Sequence, residues 1–387
     1  IVMKAVGELT SGSDVSIDTP LMQGGIDSLA ATELSSSLRA ATQVTLSPTL
    51  LFEQPTARAV AAHILEELGD AQQPANLPVA GSNLFSFDST GSVHMVGGAA
   101  RWPGGINTHA TMRSVEASCG DAIGEVPASR WTLSEMVPDM SMLTEMQVEC
   151  TRWGGWISGA ERFDPRFFGV SAAEASATDP QQRLLLEISY SSLHGAAHRR
   201  SSLMGGGDGV LIGIERPDWT ALQSMLPSAQ QGSAYAATGS TMSVASGRIS
   251  FALGLQGPCV TVDTACSAAM TAIHTGASMI RQGECSNAIA GGVALKFLPY
   301  PTLGSAAAGM LSKNGRCFTY DARANGYVRS DGVSTIILTL PEGAGAVLAS
   351  SAVRSDGRSA SLTAPNGGAQ RSLMLAAWGL CAIAATE

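Results

Sequence analysis

No uninterrupted apolar run reaches the roughly 18 residues that a membrane-spanning helix needs, and Ile1 to Thr10 lack the basic-then-apolar order of a signal peptide. The expectation is therefore a chain without a membrane span, intracellular and cytoplasmic. No Lys/Arg-rich run is present, and 23 basic residues against 32 acidic ones leave a net charge of −9. The electrostatic footprint of a nucleic-acid binder is missing. The seven cysteines (Cys119, Cys150, Cys259, Cys266, Cys285, Cys317 and Cys381) are odd in number, scattered and without a CxxC pair. They encode neither a disulfide framework nor a zinc site, and no metal is expected. Charged residues are scarce at 14%, against about 25% in ordinary soluble domains, and aromatics stand at 5%. The apolar content is thus small and aliphatic. No repeat with a period of roughly 20 to 50 residues is visible.

What is there is length enough, at 387 residues, for two or three domains of ~100 to 200 residues. The chain opens on Ile1 and closes at Glu387 without a cap or tail, and it is expected to be a fragment. Residues 1–69 hold three basic residues against eight acidic ones, a local charge of −5. Inside this block Asp27 opens the series Ala30, Leu34, Leu38, and Thr56 opens Val60, Ile64, Leu68, both at the four-residue spacing of an amphipathic helix. Asp27 and Thr56 suit N-caps and Gly69 a stop, so a small helical bundle is expected. Residues 70–92 have loop composition and read as a linker. From residue 93, apolar runs (Val210–Ile214, Cys259–Val262, Ala288–Ala294, Val333–Leu340) alternate with helical stretches (Gln181–Ser191, Ser267–Ile280). That alternation predicts an α/β domain with buried strands over 93–387.

The segment Gly24-Gly25-Ile26-Asp27-Ser28-Leu29 places a serine in the first turn of a helix. A helix N-terminus favours an attached anion, although an ordinary capping serine looks the same over so few residues. The wider pattern, Leu21-Met22-Gln23 running into that segment and Leu51-Phe52-Glu53-Gln54-Pro55-Thr56 after it, resembles an acyl carrier protein domain over nearly all of residues 1–69. The resemblance implies a four-helix carrier bundle, with 4′-phosphopantetheine carried covalently on Ser28 by the action of a phosphopantetheinyl transferase. The acidic surface fits a carrier that docks on basic patches of partner enzymes; a charge excess is also the mark of any solvated face.

In Val260-Thr261-Val262-Asp263-Thr264-Ala265-Cys266-Ser267-Ala268-Ala269, a β-branched run ends and small residues open a helix, with Cys266 at the junction. A thiol there feels the positive end of the macrodipole, which stabilises the thiolate. The plainer alternative is a buried structural cysteine, the default reading for the other six. From Met95 to Gln370 the chain resembles the β-ketoacyl synthase domain of modular polyketide synthases and multifunctional fatty acid synthases. The resemblance runs through Arg101-Trp102-Pro103-Gly104-Gly105, Glu125-Val126-Pro127-Ala128-Ser129-Arg130-Trp131, Phe163 to Ser171, Asp179 to Glu187, Asp263 to Ser267, Gly315 to Asp321, Gly326 to Arg329 and Thr363 to Gly367. It implies a layered thiolase-like α/β fold, dimeric through the synthase domain, with Cys266 taking the growing acyl chain as a thioester. A carrier followed by a synthase is the order found where one polyketide module ends and the next begins.

The family also uses two histidines from motifs of its second half, which should follow Thr363–Gly367. That C-terminal half is expected to be missing here. The six histidines supply no substitute: His63 reads as an exposed carrier residue, His94 and His109 flank the opening strand and loop, and His194 and His198 lie beyond the helix that starts at Gln181. His274 is eight residues past Cys266, about 12 Å along a helix axis. The leading expectation is polyketide or fatty-acid chain elongation. An acyl group on Ser28-bound phosphopantetheine passes to Cys266 for decarboxylative Claisen condensation with a malonyl-type thioester, in company with other synthase modules. The alternative is a non-catalytic carrier and binding fragment with an inactive half-synthase. A thiolase or plant-type chalcone synthase is disfavoured because the attached carrier implies carrier-bound substrates. Gly205 to Gly209 reads as a turn, Gly291, Gly292 and Gly304 as close backbone packing, and Met136, Met140, Met142 and Met146 as gap-fillers.

Overall fold

The computed structural model describes residues 1–10, 16–21, 24, 26, 28–44, 46, 50–70, 92–215, 218–225, 233–340, 345–359 and 364–381. The expected Asp27 cap and nearly all of the 70–92 linker lie outside the described residues. Two compact units are formed, residues 89–349 and residues 1–88 with 350–387.

In the first stretch, helices α1 (Val2–Leu9), α2 (Ser28–Thr42), α3 (Leu50–Glu53) and α4 (Ala57–Asp70) share one apolar cluster built around Val6, Leu34, Leu38, Leu50, Val60 and Ile64. The four-residue spacing accounts for this: Leu34 and Leu38 on α2, and Val60 and Ile64 on α4, fall on one face each. Leu68 does not follow, being half exposed, and α4 continues past Gly69. Thr56 caps α4 as expected, its Oγ1 accepting the Ala59 N–H at 3.2 Å. His63 is half-buried, not exposed. The 350–387 segment carries a helix, Gly367–Cys381.

The 89–349 unit is built on a six-stranded sheet, in the order β5-β4-β6-β7-β1-β8. Its strands are β1 (Val93–Arg101), β4 (Gly209–Ile214), β5 (Cys259–Val262), β6 (Asn287–Ala294), β7 (Gly332–Thr339) and β8 (Ala346–Leu348), while β2 (Ile123–Glu125) and β3 (Trp153–Gly155) form a separate antiparallel pair. β5, β4 and β6 run parallel; β7, β1 and β8 are antiparallel. Helix α5 (Pro180–Gly195) packs on β1 and β7. Helix α6 (Trp219–Ser224) follows β4, and α7 (Val244–Leu253) precedes β5. Helix α8 (Ala268–Arg281) packs on β4 and β6. Side chains alternate across a strand, so β4 sends Val210, Ile212 and Ile214 into the cluster shared with α5 and α7, and Leu211 into the one shared with α8. The sheet is thus covered by helices on both faces, as parallel strands require.

The expected strands and helices are in place within four residues. In this unit four further readings need correction. His194 lies inside α5, which runs four residues further than expected, to Gly195. Cys259 opens the edge strand β5 and is exposed, as are Cys119 in a turn and Cys317 in a loop, so only Cys150 and Cys285 of the cysteines whose side chains are described are buried. A Cβ on Gly304 would meet open space, whereas one on Gly291 or Gly292 would strike backbone at 2.1 and 2.8 Å. Met142 is solvent-exposed and fills no gap, while Met146, also exposed, keeps its sulfur 3.5 Å from that of buried Cys150.

Candidate active site

Cys266 lies four residues beyond the end of β5, in the single 3-10 turn Ala265–Ser267 that leads directly into α8. The sharp change from strand to helix is made at Ala265, whose φ of +53° is left-handed; such a backbone costs a non-glycine residue about 1–2 kcal/mol. Local hydrogen bonds offset that strain. Asp263 Oδ1 accepts the Ala265 N–H at 2.9 Å, and the Ser267 hydroxyl donates to the Thr264 carbonyl at 2.8 Å. Thr264 and Thr271 hydroxyls are 3.1 Å apart, tying the turn to the first turns of α8. The thiol is presented to solvent.

Two glycines hold this turn against the sheet. A Cβ on Gly213 of β4 would lie 2.4 Å from the backbone of Ala268, and one on Gly292 of β6 would lie 2.9 Å from the Ala269 side chain. The N-terminus of α8 therefore rests on bare backbone. Only a glycine on the helix-facing side of β4 allows that approach. Gly213 and Ala265 were given no role in the sequence; the signal was a glycine at the penultimate position of the otherwise aliphatic run Val210–Ile214.

A charged group at the carboxyl ends of β4 and β6 was also missed. Asp331 is fully buried and accepts from Arg130 at 2.6 Å and from the Lys296 and Ile157 N–H groups. Burial pushes its carboxyl up, and Arg130 beside it pulls it back down. The Arg130 guanidinium lies 5.7 Å from both the Trp156 and the Phe297 ring, the geometry of a double cation–π contact. Burial lowers the pKa of the Lys296 ammonium. The Arg130 and Asp331 positions are 201 residues apart, so no local pattern could announce the pair.

Ser28 is the first residue of the fifteen-residue helix α2. A serine hydroxyl can form the phosphodiester of 4′-phosphopantetheine, and a helix N-terminus favours the resulting anion; the residues fit the group. Ser28 and Cys266 belong to different units, Ser28 to the one containing residues 1–88 and Cys266 to residues 89–349. Among the described residues no group of acidic, Cys or His side chains could hold a metal, and no helix is long and apolar enough to cross a membrane.

The covered, mixed sheet defines the 89–349 unit as an α/β domain, with an exposed cysteine at a strand-to-helix junction. Residues 90–344 match the β-ketoacyl synthase N-terminal domain and residues 2–64 the phosphopantetheine attachment site. The chain belongs to the β-ketoacyl synthase family. It is 37% identical over 370 residues to the spectinabilin polyketide synthase system protein NorA' of Streptomyces orinoci, covering 93% of this chain and 10% of that one. It is 33% identical over 391 residues to erythronolide synthase EryA3 of Saccharopolyspora erythraea, covering 98% and 12%. Among solved structures, the oxazolomycin ketosynthase domain OzmH KS7 of Streptomyces albus superposes with a TM-score of 0.68 at 31% identity, covering 76% of this chain and 52% of that one. The module 6 ketosynthase of the Bacillus subtilis bacillaene synthase gives 0.67 at 27%, covering 76% and 49%. The chain thus spans about a tenth of the curated relatives it matches and about half of the solved ketosynthases.

Proposed function

We propose that this chain serves acyl-chain elongation of the polyketide type, with Cys266 as the acyl acceptor. The observation that supports it is the exposed thiol on a strained turn at the head of α8, seated on Gly213. In the proposed step the Cys266 thiolate attacks the carbonyl carbon of an acyl thioester. A bond forms from Sγ to that carbon, the donor's carbon–sulfur bond breaks, and the departing thiol takes up the proton that Cys266 gave up. In the complete enzyme, a malonyl-type thioester then loses carbon dioxide and its carbanion displaces Cys266 from the acyl carbon, making a new carbon–carbon bond.

Residues 1–69 are read as a four-helix carrier bundle, 70–92 as a linker and 93–387 as the synthase portion. Ser28 is the attachment point; 4′-phosphopantetheine, when present, supplies a flexible arm ending in a thiol that holds acyl groups as thioesters. Its partners would be a phosphopantetheinyl transferase, other synthase domains and a second copy of the synthase portion. Free cysteines suit a reducing, cytoplasmic setting.

Two substitutions test this. Incubation with a phosphopantetheinyl transferase and coenzyme A should add the mass of the arm, and Ser28→Ala should abolish the gain; a gain that persists sinks the attachment reading. Acyl-thioester labelling should vanish in Cys266→Ala and survive in Cys259→Ala and Cys317→Ala, both exposed thiols. Equal loss in all three would mean misfolding and no specific nucleophile.

A further inference from the structure

Cys266 is bracketed by two threonines: Thr264, which leads into its turn, and Thr271, in the first turns of α8. Their hydroxyls lie 3.1 Å apart and share a hydrogen bond. The two positions are seven apart in the chain, so the bond closes a loop around the cysteine. A helical threonine ordinarily turns its hydroxyl back to the carbonyl four residues earlier. Thr275, one turn on, does so, donating to the Thr271 carbonyl at 2.8 Å. Thr271 instead reaches toward the turn that carries Cys266.

That turn needs holding. Ala265 stands at a left-handed φ of +53°, and an alanine without restraint returns to the right-handed basin. Asp263 Oδ1 holds the Ala265 N–H at 2.9 Å from the strand side. The Thr264–Thr271 bond holds the residue before Ala265 from the helix side. The close approach of Gly213 and Gly292 fixes the helix and leaves the turn free, since Ala268 and Ala269 are what those glycines touch. Thr271 therefore links the part that packing fixes to the part that carries the thiol.

We propose that Thr271 is a positioning residue for Cys266: its bond to Thr264 keeps Ala265 left-handed and the thiol at the head of α8, where a negative charge on sulfur is favoured. Its consequence for acyl transfer rests on Cys266 being the acceptor; its consequence for the reactivity of the thiol does not. The tether matters because Ala265 has a Cβ. A glycine there takes up the left-handed conformation without that cost, so the same turn would hold with or without the Thr271 hydroxyl.

The test uses the full chain and reads, by peptide mass spectrometry, how fast iodoacetamide alkylates Cys266 relative to the exposed Cys119 and Cys317 of the same molecule. Thr271→Val keeps the shape of the side chain and removes the hydroxyl. Its Cys266 ratio should fall about three- to tenfold, the worth of one neutral hydrogen bond, and hexanoyl-pantetheine thioester should load Cys266 more slowly by the same factor. Thr271→Ser returns the hydroxyl and should restore the ratio. In an Ala265→Gly background, Thr271→Val should leave the ratio close to that background's own. A threonine needed only for stability would lower the thermal midpoint of Thr271→Val and leave all of these ratios alone. A fall below about threefold, a failure of Thr271→Ser to restore the ratio, or an equal fall in the Ala265→Gly background overturns the proposal. If Thr271→Val does not fold, Thr264→Val, which removes the other hydroxyl of the same bond, is read in its place. If the thioester loads nothing while iodoacetamide labels Cys266, the acyl-acceptor reading fails, and the alkylation ratios still decide for or against Thr271.

Discussion

The two faces of the central sheet are built from different materials. Toward α5 and α7 the sheet presents Val210, Ile212, Ile214, Ile289, Val293, Val333 and Ile337, met by Leu184, Leu185, Ile188 and Leu193 of α5. Toward α8 it presents Gly209, Leu211, Gly213, Ala288, Ala290 and Gly292 on β4 and β6, with Val93 and Leu338 further along the sheet, met by Ala268, Ala272, Gly276, Ala277 and Ile280. The first face is held by volume, at about 1.5–3 kcal/mol for each fully buried large aliphatic side chain. At the head of α8 the second gives up that volume to bring a helix close. What the difference teaches is that small residues near Cys266 are positional: they set how far the Cys266 turn stands from the strand ends.

Adjacent residues of β4 test this most sharply, because Ile212 and Gly213 face opposite ways. Gly213→Ala should be the more damaging of the two by far, since its Cβ would lie 2.4 to 2.6 Å from the backbone of Ala268 and Ala269, atoms with no side-chain freedom to yield. A loss of about 4 kcal/mol or more is expected, at the far end of single substitutions, together with loss of Cys266 labelling in any protein that still folds. Ile212→Val, one residue away, should cost only about 0.5–1.5 kcal/mol. Urea denaturation of the pair decides it; similar losses would mean the two faces are packed alike.

Much of this frame was legible in the sequence. The run Cys259–Val262 became β5 residue for residue, and Gln181–Ser191 and Ser267–Ile280 fell inside or at the edges of α5 and α8, because apolar periodicity is a local property. The strand-to-helix position of Cys266 was legible for the same reason. Strand order, the exposure of Cys259 at the sheet edge and the burial of Asp331 beside Arg130 were not. Each depends on residues brought together from far apart in the chain, and no spacing within a segment encodes the neighbour. Gly213 was visible only as one glycine in an aliphatic run; its meaning needs α8 laid across it.

On the large-residue face, Leu185 has no solvent exposure and sits within the α5 cluster. Leu185→Ala should cost about 2–5 kcal/mol through lost contacts and the cavity left behind, seen as a lower urea midpoint with Cys266 labelling retained under native conditions. A loss of labelling out of proportion to the stability change would mean that this face also positions Cys266, and would blur the distinction between the two faces.

The start of α5 carries a pH-dependent cost. Asp179 caps it, accepting the Gln181 N–H at 2.8 Å, and burial pushes its carboxyl up from 3.8 to about 6. The folded state therefore holds this proton more tightly than the unfolded state does. The stability it contributes is complete below about pH 4 and is lost as pH rises through about 6. Asp179→Asn keeps an oxygen for the cap and removes the titration. The variant should gain on the wild type between pH 4.5 and 7, by an amount of order 1–3 kcal/mol. Parallel stability curves for the two proteins would mean that Asp179 is charged throughout.

The smallest expected effect is a gain, at a glycine that does no positional work. Gly247 lies inside α7, and a Cβ built on it meets nothing within 4 Å. Its backbone is helical, so alanine can adopt it without strain, and the unfolded chain would lose conformational freedom. Gly247→Ala should stabilise the unit by about 0.5–1 kcal/mol, read as a higher thermal midpoint with labelling of Cys266 unchanged. Placed beside Gly213→Ala, it separates two meanings of the same residue type. One glycine is retained for the space that a neighbouring backbone occupies, the other can be replaced. If Gly247→Ala were as harmful as Gly213→Ala, glycine content as such would govern this unit, and close approach at the head of α8 would lose its special standing.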